Sequence, residues 1–263
     1  TRNRVAFKGP LTTLSGGGFR SINVVLRQKF NLYANVRPAR IWPGVKTRFE
    51  DVDIVVVREN TQGLYCGLEH YLTPEKDVAE SLAVVTREAS EKIIRYAFEY
   101  AVDNNRKKVT VCHKANILKF TQGLFLDVAR EIAPRYPAIE FDEKIIDAAC
   151  MHMVMNPAQF DVVVTTNLFG DILSDLTAGL VGGLGLIPGA NIGADAALFE
   201  AVHGSAPDIT GKNLANPTAV IMVGAMMLKH LGEDAASDRV ERAVKKVIFE
   251  GTFVTPDLNP NSR

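Results

Sequence analysis

The sequence predicts an α/β protein with an open, largely parallel sheet flanked by helices. Apolar runs typical of buried strands alternate along the chain with stretches that have the 3.6-residue period of amphipathic helices. Apolar residues make up 47% of the 263 positions and charged residues 23%, a globular composition that excludes a disordered chain. No run of about 18 uncharged apolar residues occurs, so we expect no membrane span.

The expected elements follow from local patterns, taken in chain order. A short strand begins at Val5, and a glycine-rich loop at 16–18 leads into a helix. The run Asp53-Ile-Val-Val-Val is typical of a buried strand, whereas the apolar positions after Ser90 follow the helical period. We expect further strands at 53–57, 107–112, 139–146 and 160–166, and helices at 21–32, 90–104, 120–136, 148–155, 171–180, 217–231 and 235–250.

The charge distribution is lopsided, although the chain carries 30 basic and 30 acidic residues. The first 49 positions hold ten lysines or arginines and no acid, which predicts either a nucleic-acid-binding arm or a pocket for a small polyanion. Arg27 lies within apolar helical periodicity rather than in a low-complexity tail, and this favours the pocket. Three cysteines without metal-ligand spacing exclude a disulfide scaffold and indicate a reducing compartment.

The densest motif is Asn167-Leu-Phe-Gly-Asp-Ile-Leu-Ser-Asp, which follows an apolar strand where ligands bind in open α/β sheets. Asp171 and Asp175 are four positions apart, so a helix would place both carboxylates on one face. Their repulsion costs about 0.2–0.5 kcal/mol unless a divalent cation reverses its sign. Oxygen ligands suit Mg²⁺ or Mn²⁺, and Asp147 could supply a third carboxylate. Alternatively, Asp171 caps the helix and Asp175 is a solvated acid of its first turn.

Several basic residues are candidates for binding the carboxylates of a polyacid, because a guanidinium offers each of them a planar fork. These are Arg20, Arg27, Arg37 and Arg58. Lys114 follows the strand at 107–112, where a lysine of lowered pKa could transfer protons. Tyr65 is a candidate phenolic acid. For each of these residues, a plain surface or core position is the alternative.

Two segments bear on cofactor binding. Between 182 and 189 the glycines lack GxGxxG spacing and Pro188 interrupts them, so no Rossmann fingerprint is present. The segment 200–213 is typical of a polar loop that contains glycine and proline and leads to a helix. His203 and backbone amides could line a nucleotide there, although a connecting loop would have the same composition.

Together these segments resemble the β-decarboxylating dehydrogenases, the family of isocitrate and 3-isopropylmalate dehydrogenases, from about Lys8 to the last helix. The stretch 167–186 is similar to the family signature. The resemblance implies an isopropylmalate dehydrogenase-like fold, with a large cofactor-binding domain at 1–33 and 157–263. A small domain at 34–156 would carry the dimer interface and substrate groups. Members normally begin with a strand and a Gly-Asp-Gly turn and continue past the equivalent of Arg263, so the resemblance implies a chain truncated at both ends.

The resemblance also implies roles for individual residues. Lys114 matches the lysine that handles the hydroxyl proton, and Tyr65 matches the acid that protonates the enolate. The matches to the metal ligands are Asp171, Asp175 and Asp147. Lys114 and Asp147 are expected to serve the site of a partner subunit. The expected substrate-binding residues are Ser21, Asn23, Arg27, Arg37 and Arg58. The expected cofactor-binding residues are Thr13, His203, Gly204, Ser205, Ala206, Asp208, Ile209 and Asn216.

Two short segments decide the expected substrate and cofactor. Ser21-Ile-Asn23 resembles isocitrate enzymes, which hydrogen-bond a carboxylate there, whereas isopropylmalate enzymes carry apolar residues. Asp208 and Ile209 stand where members that use NADP tend to carry Lys and Tyr. The resemblance therefore implies oxidative decarboxylation of isocitrate with NAD and Mg²⁺ or Mn²⁺. The alternatives are a homoisocitrate or isopropylmalate enzyme, or a regulatory subunit of a hetero-oligomer.

The expected partners follow from the same resemblance. We expect a homodimer with shared active sites, with a hetero-oligomer possible, and neither a nucleic acid nor a membrane as partner. The expected location is the cytoplasm in a bacterium and the mitochondrial matrix in a eukaryote.

Overall fold

The computed structural model describes residues 3–12 and 21–261, and that part of the chain contains ten strands and seven helices. The strands are β1 (Val5–Phe7), β2 (Ala34–Arg40), β3 (Asp53–Glu59), β4 (Glu69–Tyr71), β5 (Ala79–Ser81), β6 (Lys108–His113), β7 (Glu140–Ile145), β8 (Val162–Thr165), β9 (Pro188–Ile192) and β10 (Ala197–Ala201). The helices are α1 (Ile22–Lys29), α2 (Arg87–Asp103), α3 (Thr121–Ile132), α4 (Ile146–Met155), α5 (Asn167–Leu180), α6 (Thr218–His230) and α7 (Asp234–Glu250). No helix among these residues is both long and apolar enough to cross a membrane.

Eight of the strands form one mixed sheet in the order β1-β10-β9-β2-β3-β8-β6-β7. Four of its seven strand pairs are parallel, and β2 runs antiparallel to both β3 and β9. The remaining strands, β4 and β5, form a separate antiparallel hairpin. Because helices flank a mostly parallel sheet, the predicted fold class is confirmed.

The core lies on both faces of this sheet. On one face α2 and α3 pack against β2, β3, β6 and β8, and on the other α4 and α5 pack against β3, β6 and β8. The predicted periodicity of α2 is realised, since Ile93, Ile94, Ala97, Phe98 and Ala101 are all fully buried. Burial of a side chain such as that of Phe98 contributes roughly 1.5–3 kcal/mol. Both faces of the sheet are therefore buried under helices.

Several element boundaries differ from the sequence-based expectation. The patterns do not predict β2, β9 or β10, because polar residues and prolines interrupt their apolar runs. Helix α5 begins at Asn167, four residues before the expected start. Asp147 lies in the first turn of α4 rather than at a strand end. Glu200 belongs to β10 and is buried, so the expectation that it opens a polar loop is wrong.

The two expected domains contribute strands to one continuous sheet. Strands from the segment 34–156 and from the flanking segments hydrogen-bond in the same eight-stranded sheet, and β8 lies between β3 and β6. The boundaries at 33 and 156 stay a prediction.

Candidate active site

The candidate site lies at the carboxyl ends of parallel strands, where ligands bind in open α/β sheets. Arg58 is near the end of β3, Lys114 directly follows β6, and Asn167 opens α5 two residues after β8 ends. The parallel pairing of β3, β8 and β6 brings these ends to one edge of the sheet. The sequence prediction of polar groups at strand ends therefore locates this region.

Asp171 is the centre of the site. The Oη of Tyr65 donates to Asp171 Oδ2 at 2.6 Å, and the Nη1 atoms of Arg58 and Arg37 donate to Oδ1, the latter at 3.3 Å. Burial alone would raise the pKa of Asp171, but Arg58, the Tyr65 hydrogen bond and Arg37 outweigh it and hold that pKa below its ordinary value. Asp171 is thus ionised at neutral pH. It lies in the second turn of α5 and does not cap the helix.

Arg27, Arg37 and Arg58 are all buried. Burial lowers the pKa of Arg37 to about 10, and the nearby charge of Arg58 adds to this effect. Burial also lowers the pKa of Arg58, and Asp171 partly offsets it. These three cations face three carboxylates, those of Asp171, Asp175 and Glu200. Lys8 adds a fourth basic side chain, and the resulting excess of one positive charge favours an anionic ligand.

A cavity of about 180 Å³ opens beside these arginines, and its lining includes Asn23, Arg27 and Arg37. The Nε atoms of Arg27 and Arg37 and the Oδ1 atom of Asn23 are buried and have no hydrogen-bond partner within residues 3–12 and 21–261. Buried polar atoms are normally satisfied, so the two Nε–H donors favour a ligand with acceptor oxygens, whereas Asn23 Oδ1 would need a donor such as a hydroxyl. Ser21 directly precedes α1 at its N-terminal boundary, two residues before Asn23.

Glu200 is the counter-ion of this basic group. Arg27 Nη2 lies 3.1 Å from Glu200 Oε1, Lys8 Nζ contacts Oε2, and Asn191 Nδ2 donates to Oε1 at 2.8 Å. Burial would raise the pKa of Glu200, but Arg27 and Lys8 together lower it below the ordinary value. The sequence patterns predict no role for Lys8 or Asn191. An asparagine inside the apolar stretch that forms β9 is the one local signal that marks this cluster.

Tyr65 lies in a short 3-10 turn, Leu64–Cys66, that follows β3. Burial and the hydrogen bond to the Asp171 carboxylate raise the pKa of the phenol. The guanidinium carbon of Arg58 lies 5.1 Å from the centre of the Tyr65 ring. Tyr65 is therefore a protonated donor at neutral pH, next to a cation that can stabilise a phenolate.

Lys114 and Asp147 form a separate pair, with Nζ 2.6 Å from Oδ1. The hydrogen bond from Lys114 lowers the pKa of Asp147. Within the described ranges, neither residue hydrogen-bonds or pairs with Tyr65, Asp171 or Asp175. Among the described residues, the predicted catalytic residues thus form two groups: Tyr65 contacts Asp171, and Lys114 pairs with Asp147. The two groups do not contact each other within one chain.

The three predicted metal ligands are likewise divided. The described residues contain no group of three or more His, Cys, Asp or Glu side chains that could hold one metal ion. Asp175 lies 4.0 Å from Arg37 Nη1, and burial raises its pKa, an effect that Arg37 opposes and the negative charge of Asp171 reinforces. The pKa of Asp175 is thus raised in part by the charge of Asp171, four positions earlier on the same helix.

The expected cofactor residues lie in the loop between β10 and α6. His203 Nε2 is buried without a hydrogen-bond partner among the described residues, and Asp208 lies in a short 3-10 turn, Pro207–Ile209. Ala206 has a φ of 44°, an uncommon left-handed conformation that shapes this turn. Asn216 donates to Asp257 at 2.9 Å and accepts from the Thr218 amide at 2.9 Å.

A depression of about 370 Å³ is lined by part of the loop between β10 and α6. Its lining residues include Ser205, Ala206, Ile209 and Ala215. Gly204 instead lines the cavity beside the arginines, so the loop connects the two hollows. Thr13 and Arg20 lie outside the described residues.

These features define a class of protein, an α/β enzyme whose parallel strand ends form a basic pocket suited to a small polyacid. The family model of the isocitrate/isopropylmalate dehydrogenases matches residues 1–263. The chain therefore belongs to that family of decarboxylating dehydrogenases.

Known relatives carry two different substrate names. The crystal structure of isocitrate dehydrogenase from Methylococcus capsulatus is 66% identical with a TM-score of 0.98, over 99% of this chain and 78% of that one. The probable mitochondrial NAD isocitrate dehydrogenase subunit alpha of Drosophila melanogaster is 52% identical over 99% of this chain and 69% of its own length. The chloroplastic 3-isopropylmalate dehydrogenase of Solanum tuberosum is 53% identical over 95% and 70%. Overall identity therefore does not separate the two substrates.

Proposed function

We propose that this protein oxidises isocitrate with NAD and decarboxylates the product to 2-oxoglutarate. The observation that carries the proposal is the basic cavity, in which buried N–H groups of Arg27 and Arg37 have no partner among the described residues. Isocitrate has three carboxylates, and each guanidinium can bind one through a planar fork. Ser21 and Asn23 stand at the start of α1, where an additional carboxylate would gain hydrogen bonds that an isopropyl group cannot accept.

Each residue of the site then has a task. The arginines orient the acid, and the hydroxyl proton passes to Lys114 of the partner subunit. After CO₂ leaves, Tyr65 returns a proton to the substrate carbon, which its raised pKa permits because the phenol is protonated beforehand. Bound NAD would supply the hydride acceptor, and a divalent cation at Asp171, Asp175 and Asp147 of the partner subunit would supply Lewis-acid polarisation of the substrate oxygens.

The chemistry of α5 fits such a cation. Asp171 and Asp175 present oxygen ligands on one helical face, and their repulsion contributes to the raised pKa of Asp175. Mn²⁺ together with isocitrate should therefore raise the thermal stability, by about 2.7 kcal/mol at one hundred times the Kd. Asp171→Asn should lose this shift, whereas Asp127→Asn, at an exposed acid of α3, should keep it. An unchanged shift in Asp171→Asn would show that Asp171 is not a ligand.

A second copy of the chain would complete the site. Strongly exposed apolar side chains lie on the chain segments that follow Lys114 and Asp147, with Ile117 65%, Phe120 91% and Met155 71% exposed. Such a patch is typical of a surface that another subunit covers. A homodimer with shared sites accounts for both features. A regulatory role in a hetero-oligomer is disfavoured, because Tyr65 and Lys114 are both present.

Cofactor choice depends on Asp208. A carboxylate accepts hydrogen bonds from both ribose hydroxyls of NAD, but it repels the charge of roughly −2 on the 2′-phosphate of NADP. Even a third of the roughly 4 kcal/mol for a unit-charge pair near a protein surface gives about a tenfold preference for NAD. Asp208→Lys combined with Ile209→Tyr should move kcat/KM toward NADP. Equal use of both cofactors by the wild type would remove the basis for this proposal.

The rival substrates are separated by direct comparison. Isocitrate, homoisocitrate, 3-isopropylmalate and tartrate should each be tested with NAD and NADP, and we expect the highest kcat/KM for isocitrate with NAD. A nucleic-acid-binding role for the basic first segment predicts steeply salt-dependent binding to DNA or RNA instead. The proposed location is the mitochondrial matrix if the source is a eukaryote and the cytoplasm if it is a bacterium.

A further inference from the structure

We propose that Asn167 is a positioning residue that aims Arg58 at the bound acid without neutralising its charge. Asn167 Oδ1 accepts two hydrogen bonds from one edge of the Arg58 guanidinium, from Nε at 3.0 Å and from Nη2 at 2.8 Å. Both side chains are almost fully buried, each residue being 1% exposed. This contact is independent of the choice of substrate, and only the identity of the acid rests on the proposed function.

The orientation of the Asn167 amide is fixed by its other end. Asn167 Nδ2 donates to the backbone carbonyl of Gln62 at 3.0 Å, and a flipped amide would place two oxygens against each other there. The oxygen must therefore face Arg58. The N-cap residue of α5 is Thr166, so Asn167 does not cap the helix. Helix capping therefore does not explain the orientation of the Asn167 amide.

Three of the five N–H groups of Arg58 are used by Asn167 and Asp171. The remaining N–H groups are on the terminal nitrogens, where the Tyr65 hydroxyl also interacts, so a further acceptor must approach the guanidinium from that side. The neutral amide holds the guanidinium without adding a second negative charge to that of Asp171, so part of the positive charge of Arg58 stays available to the ligand. An aspartate at 167 would grip it equally well but would compete with the acid for that charge.

Gly170 allows α5 to pack closely against the Arg58 side chain. A Cβ atom added at Gly170 would lie 2.5 Å from Arg58 Cγ and 2.6 Å from its Cβ, so only glycine lets α5 approach the end of β3 this closely. A single helix, α5, thus contacts Arg58 at three positions, Asn167, Gly170 and Asp171. Gly179, later on α5, has no neighbour within 4 Å of an added Cβ and provides a matched comparison.

The decisive variants are Asn167→Ala and the isosteric Asn167→Asp, assayed in the full chain with Mg²⁺ and NAD. We expect both to raise KM for isocitrate by about tenfold to a hundredfold, because a misplaced binding group costs about that much. Asn167→Asp keeps the volume and the acceptor for Arg58 but sets a carboxylate oxygen against the Gln62 carbonyl, so we expect it to melt several degrees lower, and KM is measured well below that melting temperature. Ser237→Ala, which removes a buried hydrogen bond from α7 to the Ala225 carbonyl of α6, should lower the melting temperature and leave KM unchanged.

A double-mutant cycle shows whether Asn167 acts through Arg58. In an Arg58→Gln background, Asn167→Ala should raise KM by less than about twofold further, whereas independent residues would give multiplied effects. Gly170→Ala should also raise KM, and Gly179→Ala should not. A wild-type KM in folded Asn167→Asp, or multiplied effects in the cycle, would overturn the proposal. If the wild type instead turns over another 2-hydroxy acid, only the proposed function fails. The same double-mutant cycle with that acid then tests whether Asn167 positions Arg58.

Discussion

Replacing Glu200 by glutamine should destabilise the fold far more than removing a surface carboxylate. Glu200 is the buried acid between Lys8 and Arg27, and the three side chains are only 8%, 15% and 10% exposed. Glu200→Gln keeps the volume and an acceptor for Asn191 but leaves two cations facing each other in the interior. Removing one partner of a buried ion pair costs about 3–5 kcal/mol, and the retained amide places our expectation near 3 kcal/mol.

The matched control is Glu131→Gln, which removes an acid paired with Arg87 on the surface. Both side chains of that pair are about half exposed, 54% and 50%, so solvent screens the pair and its loss should cost only a small fraction of the Glu200→Gln effect. The free energy of unfolding, measured in urea at pH 7, compares the two variants. Similar values for Glu200→Gln and Glu131→Gln would refute the inference that the Glu200 cluster is a desolvated ion pair.

The pH dependence provides an independent check. The folded-state pKa of Glu200 lies below its unfolded value, so its contribution to stability is complete above the unfolded pKa of about 4.3 and is lost as the pH falls through the folded pKa. The difference in unfolding free energy between the wild type and Glu200→Gln should stay constant from pH 7 to about 5 and shrink below about pH 4. A difference that grows on acidification would have the wrong sign.

Three further outcomes are expected. Leucines at both Ser21 and Asn23 should lower kcat/KM for isocitrate by a factor of roughly 10² or more, because a substrate charge is left unsatisfied, and unchanged kinetics would disprove the carboxylate contact. Mixing inactive Lys114→Met with inactive Asp171→Asn should restore activity in hybrid dimers, since one site then has all its groups; proven hybrids without activity would place Lys114 in its own subunit's site. Tyr65→Phe should lower kcat by roughly 10²- to 10⁴-fold with little change in KM, and full activity would exclude the phenol as the acid.

The sequence predicted those parts of the fold that local patterns determine. The valine runs of β3 and β8 and the apolar period of α2 are visible within a few residues, and the structure confirms these elements. β2 and β9 were not predicted, because Asn35 and Asn191 interrupt their apolar pattern. These amides are buried since Asn35 Nδ2 donates to Asn191 Oδ1 at 2.7 Å, a contact between residues 156 positions apart.

The same distinction applies to the site. The four-residue spacing of Asp171 and Asp175 placed them on one helical face, and the position of Arg58 after a valine run placed it at a strand end. Glu200 was misplaced in a loop, because its partner Arg27 is 173 positions away. The sharing of Asp147 with a second subunit came from family resemblance and stays a prediction.

The register of β2 fixes the electrostatics of the pocket. Asn35 pairs with Asn191 and Arg37 with Val56, so the odd-numbered side chains face α5 while Val36 faces the core under α2. A slip of one residue would exchange these faces and bury Arg37 among hydrocarbon side chains. Pro38, which has no N–H to donate, lies beyond the last pair with β9, where β2 pairs with β3 alone. A slip of one residue would therefore leave the charge of Arg37 unpaired and disrupt the hydrogen-bond ladder of β2. The correct strand register and the correct charge of the pocket thus depend on the same strand pairing.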